Sequence, residues 1–87
     1  MRRSFRAAVH LYSLAGVRLT AADCLLYIDI APFTRTAWSG DLSNVRAAPL
    51  PPGHYLLRLP GGRAGRIELY ADEAGVLTFT GEGPPPM

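Results

Sequence analysis

The chain has 87 residues and a mass of 9.4 kDa; 48% of its residues are hydrophobic, 18% are charged, and its formal net charge is +2. That length holds one small domain, and the apolar content is too high for an intrinsically disordered chain. No apolar run approaches the roughly 20 residues of a membrane helix, and a multidomain enzyme or a large cofactor fold would not fit.

All nine basic residues are Arg, and they are unevenly placed. Residues 1–18 carry four Arg and no acid, whereas residues 67–87 carry four acids and no base. Residues 19–45 are net acidic and residues 46–66 net basic. This alternation predicts basic strands beside acidic ones and weighs against a uniformly basic nucleic-acid binder. Cys24 is the single cysteine, so no intrachain disulfide can form, and its apolar neighbours predict a buried, inert thiol. Arg6, His10, Tyr12 and Ser13 interrupt the apolar start, so it is not read as a signal peptide, and a cytoplasmic location is the default expectation.

Residues 5–12 fit two periods. Phe5, Ala7, Val9 and Leu11 alternate as in a strand, while Phe5, Ala8, Val9 and Tyr12 fall at helical spacing. The strand is preferred because clear strands follow. A turn at Ala15-Gly16 would pair Tyr12 with Leu19 and Leu14 with Val17. That reverses the parity of Phe5 to Leu11 and calls for a bulge near Leu11.

Cys24, Leu26, Ile28 and Ile30 share one face of a central strand, with Leu25, Tyr27 and Asp29 on the other. Setting Ile28 opposite Trp38 gives the pairs Ile30–Thr36, Leu26–Gly40 and Cys24–Leu42, around a Pro32-Phe33-Thr34 loop. Gly40 would then leave room for the indole of Trp38. Residues 43–53 read as a loop, since Pro49, Pro51 and Pro52 cannot donate to a sheet. His54 to Leu59 is a strand with Tyr55, Leu57 and Leu59 on one face. A three-residue loop, Pro60-Gly61-Gly62, keeps the next strand in parity by setting Tyr55 opposite Ile67 and His54 opposite Glu68. Asp72-Glu73-Ala74-Gly75 is an acidic turn before a last strand, Val76 to Thr80, with Leu77 and Phe79 inward. The expected fold is therefore all-β: a small antiparallel sandwich or barrel of six to seven short strands with hairpin connections. Residues 1–81 form the domain, and residues 82–87 are expected to be a Pro-rich tail.

No feature points to catalysis. His10 and His54 are isolated, no Ser sits in a Gly-x-Ser-x-Gly elbow, and no carboxylates form an acid/base pair. The expectation is a non-enzyme that needs no cofactor or metal. Two binding surfaces are candidates. Leu25, Tyr27, Leu56 and Tyr70 fall on outward parities and could pack on a protein partner or a second copy. Alternatively, Arg58, Arg63 and Arg66 around the Gly-rich hairpin could hold nucleic acid or another anion. Phe33 and Arg35 would add to that second surface.

Residues 49–59, with Gly53, Tyr55, Leu57 and Leu59 in a Pro-Gly-x-Tyr-x-Leu-x-Leu pattern, resemble a strand of prealbumin-like (carboxypeptidase-regulatory-like) β-sandwich domains. The resemblance covers about an eighth of the chain. It implies a structural or interaction module and assigns no site residue.

Overall fold

The computed structural model describes residues 1–30, 36–46, 50–72 and 74–86. Among them are six strands: β1 (Arg2–Tyr12), β2 (Arg18–Asp29), β3 (Ala37–Ser43), β4 (Gly53–Arg58), β5 (Ala64–Ala71) and β6 (Leu77–Glu82). All are antiparallel to their neighbours and close into one barrel in the order β1-β2-β3-β6-β5-β4. Two three-stranded meanders, β1-β2-β3 and β4-β5-β6, join edge to edge through β1–β4 and β3–β6. The expected choice between barrel and sandwich thus resolves to a barrel. Pairing of both outer strands of each meander is what distinguishes it from two stacked sheets.

The inward face follows the alternation read from the sequence. Val9, Leu11, Ala22, Cys24, Leu26, Ile28, Trp38, Leu42, Tyr55, Leu57, Ile67, Leu69 and Phe79 are the buried core. Residues 5–12 are strand, as expected, and the registers Ile28↔Trp38, Leu26↔Gly40, Cys24↔Leu42, Tyr55↔Ile67 and His54↔Glu68 all form. The ladder between β2 and β3 is described as far as Asp29↔Ala37, and the expected Ile30–Thr36 pair adjoins residues outside the described ones. On its β1 side Ile30 exchanges backbone hydrogen bonds with Met1. The Pro32-Phe33-Thr34 loop lies outside the described residues.

Three hairpin loops close in the same way. The N–H of Ser13, Leu59 and Asp72 donates to the carbonyl four residues on, and Gly16, Gly62 and Gly75 donate back to Ser13, Leu59 and Asp72. Each of these glycines has positive φ, which suits the left-handed position of a three-residue hairpin loop. The loop between β4 and β5 was expected in this form. The loop between β1 and β2 corrects the two-residue turn: it spans Leu14-Ala15-Gly16, and Tyr12 pairs with Arg18. The bulge expected near Leu11 is present as a register shift between Leu11 and Tyr12, which leaves Leu19 as the extra residue.

A six-stranded barrel is narrow, and two of its three buried aromatics, Trp38 and Phe79, fit because glycines face them. Gly40 makes room for Phe79, not for Trp38 as expected. The indole of Trp38 lies over Gly65 and Gly81 and meets Phe79 edge-on, with ring centroids 6.1 Å apart. Its Nε1–H donates to the Gly83 carbonyl at 3.0 Å. β6 also runs to Glu82, which pairs with Arg66, and Pro86 is buried near Gly65. The expected tail therefore begins inside a strand and returns across the Trp38 end of the barrel. At the opposite end, half-buried Val45 and Leu50 pack on the core, and Tyr55 donates its hydroxyl to the Pro51 carbonyl at 2.6 Å.

Candidate interaction surfaces

The expected apolar surface does not come together. Leu25 and Tyr27 lie outward on β2, while Tyr70 lies outward on β5, three strands away around a six-stranded ring. Leu56, on β4, sits opposite both Tyr12 of β1 and Arg66 of β5. Only Tyr70 of the four is strongly exposed, at 42%. Tyr27 is covered from outside by Arg2, whose guanidinium carbon stands 5.0 Å from the ring centroid.

The three arginines of the second candidate surface also have separate surroundings. Arg63 lies exposed beside the hairpin loop. Arg58 folds over Gly62 and donates weakly to the Tyr12 hydroxyl at 3.4 Å. Arg66 is engaged by a carboxylate, with its Nε 2.9 Å from Glu82 Oε2. The other Glu82 oxygen lies 2.7 Å from His54 Nδ1, and His54 Nε2 is 3.7 Å from Glu68. This network across β4, β5 and β6 places two acids on the wall where Arg66 was to meet an anion. Phe33 and Arg35 lie outside the described residues.

A third surface was not anticipated: the first half of β1. β1 pairs with β2 along its whole length, but with β4 only through His10↔Arg58, Leu11↔Leu57 and Tyr12↔Leu56. Continuing that register would set Pro60 opposite Ala8, and Pro60 has no N–H to give. Arg2 to Ala8 therefore have β2 on one side and no strand on the other among the described residues.

The hydrogen-bonding parity of this edge follows from its end. Met1 and Ile30 exchange both backbone bonds, so Arg3, Phe5 and Ala7 also bond toward β2. The N–H and C=O groups of Arg2, Ser4, Arg6 and Ala8 then point outward along the free edge. All four of these residues are exposed. On the inward face of this segment, Phe5 remains 37% exposed, beside Arg3. On the outer face, Arg6, Asp23, Leu25 and Asp41 border a groove of about 520 Å³.

Arg2 is held down by Asp29, its Nε donating to Oδ1 at 2.8 Å and its Nη2 to Oδ2 at 3.2 Å. These hydrogen bonds and the Arg2 charge keep the Asp29 carboxyl below its ordinary pKa. Among the described residues, neither Arg3 nor Arg6 has an ion-pair partner.

The remaining chemistry-bearing groups stay apart. Cys24 faces the core, and burial, with help from the Asp41 charge, pushes its thiol up to about 12. That matches the inert thiol read from its neighbours. His10 lies outward on β1, with Nδ1 buried and lacking a hydrogen-bond partner among the described residues. Its strand neighbours are Ala21 and Arg58. No helix among the described residues is long and apolar enough to cross a membrane. Comparison with family models, curated proteins and solved structures finds no match.

The signal that could have revealed the free edge was present but indirect. An eleven-residue strand cannot be fully paired by the six residues of β4. Seeing this requires knowing that β1 and β4 are neighbours, and local alternation does not carry that pairing.

Proposed function

We propose that the chain is a non-catalytic protein-interaction module that docks an extended segment of a partner by adding a strand to the free half of β1. The observation that carries this reading is the run of outward-pointing backbone groups on Arg2, Ser4, Arg6 and Ala8, a stretch facing no strand among the described residues and longer than the one-sided stretches Arg18–Ala22 of β2 and Gly53–Tyr55 of β4. Strand addition draws affinity from main-chain hydrogen bonds and specificity from alternate side chains. Both are available here, because the edge lies beside exposed Phe5 on one face and Arg6 on the other.

The anion reading draws its support from Arg63 and Arg58, since Arg66 is already paired with Glu82. The two readings separate in one experiment. Displayed peptides are selected on the chain and on its Ser4→Pro variant, and single-stranded oligonucleotide binding is measured in low and high salt. Peptides that bind the parent and not the variant support strand addition. Proline is tolerated at an edge position whose N–H faces solvent, so the variant should fold. Oligonucleotide binding that falls steeply with salt, with no peptide selected, would overturn it.

A further inference from the structure

We infer that the occupant of the β1 edge is an acidic extended segment of another protein, one that alternates carboxylates with apolar residues, and not a second copy of this chain. This rests on the strand-addition reading and adds the chemistry of the partner. β1 carries Arg2, Arg3 and Arg6 and no acid. Arg2 is engaged by Asp29, which leaves Arg6 on the outer face and Arg3, beside Phe5, on the inward face, neither with an ion-pair partner among the described residues. A second β1 laid antiparallel, with edge residues facing edge residues, sets Arg2 against Arg6 when centred on Ser4. Shifting by one repeat brings Arg6 against Ser4, with Arg2 still adjacent. Like charges directly opposite on a sheet destabilise the pair, and opposite charges stabilise it.

The two faces of the edge set the alternation in the incoming strand. Side chains entering on the inward face meet Phe5 and the mouth of the core, where exposed apolar surface is waiting. Side chains on the outer face run beside Arg6, while the acids of the same groove, Asp23 and Asp41, lie one and two strands further in on β2 and β3; carboxylates placed at the edge therefore meet the cation first. An apolar–acidic repeat of period two therefore matches both faces at once.

The test uses the full chain with three synthetic octapeptides: one alternating Glu with Val, one with Gln in place of Glu, and one with Lys. Affinity is read by titration with a fluorescent label on the peptide. Amide hydrogen exchange of Arg2, Ser4, Arg6 and Ala8 is followed in parallel. The Glu peptide should bind and slow exchange at those four amides. The Gln peptide should bind about two- to fivefold more weakly, the worth of an exposed ion pair with Arg6, and that gap should close in Arg6→Gln. The Lys peptide should not bind. Equal binding of the Glu and Gln peptides would overturn the acidic partner while leaving strand addition in place. Failure of all three to slow exchange at the edge, or unchanged binding in Ser4→Pro, would overturn strand addition itself. Slowed exchange at the same amides that grows with protein concentration and needs no peptide would assign the edge to a second copy.

Discussion

Gly81→Ala probes how the interior of so narrow a barrel is filled. A Cβ at position 81 would fall well inside contact distance of Cε2, Cδ2 and Nε1 of the Trp38 indole. The ring has little freedom to retreat. Its Nε1–H is committed to the Gly83 carbonyl at 3.0 Å, and the edge of Phe79 meets it with centroids 6.1 Å apart. At its far side, a Cβ built on Gly65 would stand only 2.7 Å from Cζ2 and Cη2, so no slack exists there either. Carbon atoms settle at about 3.5–4.0 Å, so the indole or the backbone of β6 must shift by more than an ångström. Overpacking of this kind costs about 1–3 kcal/mol, and the enclosure on every side places this case toward the upper figure. In a domain of this size that lowers Tm by roughly 10–20 °C. Urea unfolding followed by far-ultraviolet circular dichroism measures the loss, and the same substitution in a Trp38→Phe background isolates its cause. Removing the larger ring should recover about 1 kcal/mol or more of the penalty. A Gly81→Ala variant within about 0.5 kcal/mol of the parent would refute the packing argument, and so would an unchanged penalty in the Trp38→Phe background.

Four further outcomes are expected. Tyr55→Phe removes the hydroxyl that holds the Pro51 carbonyl at 2.6 Å and should cost about 0.5–1.5 kcal/mol in urea unfolding; an unchanged midpoint would show that this bond contributes nothing. Cys24 should resist thiol reagents at pH 8 in the folded chain and react only at the rate of unfolding, because burial holds its thiol pKa at about 12; rapid labelling would place the thiol at the surface. The same raised pKa makes the folded state keep its proton longer than the unfolded chain. Stability should therefore be full below about pH 9 and decline above it, less so in Cys24→Ala. Asp29 works in the opposite sense. Its pKa is depressed in the fold, so its contribution is complete above the ordinary carboxylate pKa and is lost as pH falls through the folded value. An acid unfolding midpoint that is the same in Asp29→Asn as in the parent would remove that assignment.

The period-two alternation made most of the barrel legible. Cys24 to Ile28 and Tyr55 to Leu57 carry it without interruption, and parity alone set Tyr55 opposite Ile67 through a three-residue loop. It failed where two solutions shared the same local pattern. The turn after Tyr12 accepted either a two-residue loop or a three-residue loop with a bulge, and the three-residue loop that forms also lets Ser13 Oγ accept the Val17 N–H at 3.1 Å. Gly40 was matched to the wrong aromatic because Trp38 lies near it in sequence, whereas Phe79 reaches it only through the β3–β6 pairing. The candidate apolar surface is scattered for the same reason. Leu25, Tyr27, Leu56 and Tyr70 have outward parities, but parity gives a face and not an azimuth around a closed ring.

The arginines of β1 also bear on why the free edge stays free. An unpaired strand is a template for joining another copy, and basic side chains are one way that natural edges avoid it. The same charges that repel an identical strand attract an acidic one, so protection from self-pairing and selection of a partner are one property of Arg3 and Arg6. The double variant Arg3→Ser/Arg6→Ser separates the two effects. It leaves the outward backbone groups of Ser4 and Ala8 in place and keeps the Arg2–Asp29 pair, while removing the two cations that have no ion-pair partner among the described residues. Sedimentation at rising protein concentration should show the parent monomeric and the double variant associating, with less dependence on salt than an ionic contact would have. A double variant that stays monomeric at high concentration would mean that the edge is kept open by shape, by the approach of Pro60 and its loop, and not by charge.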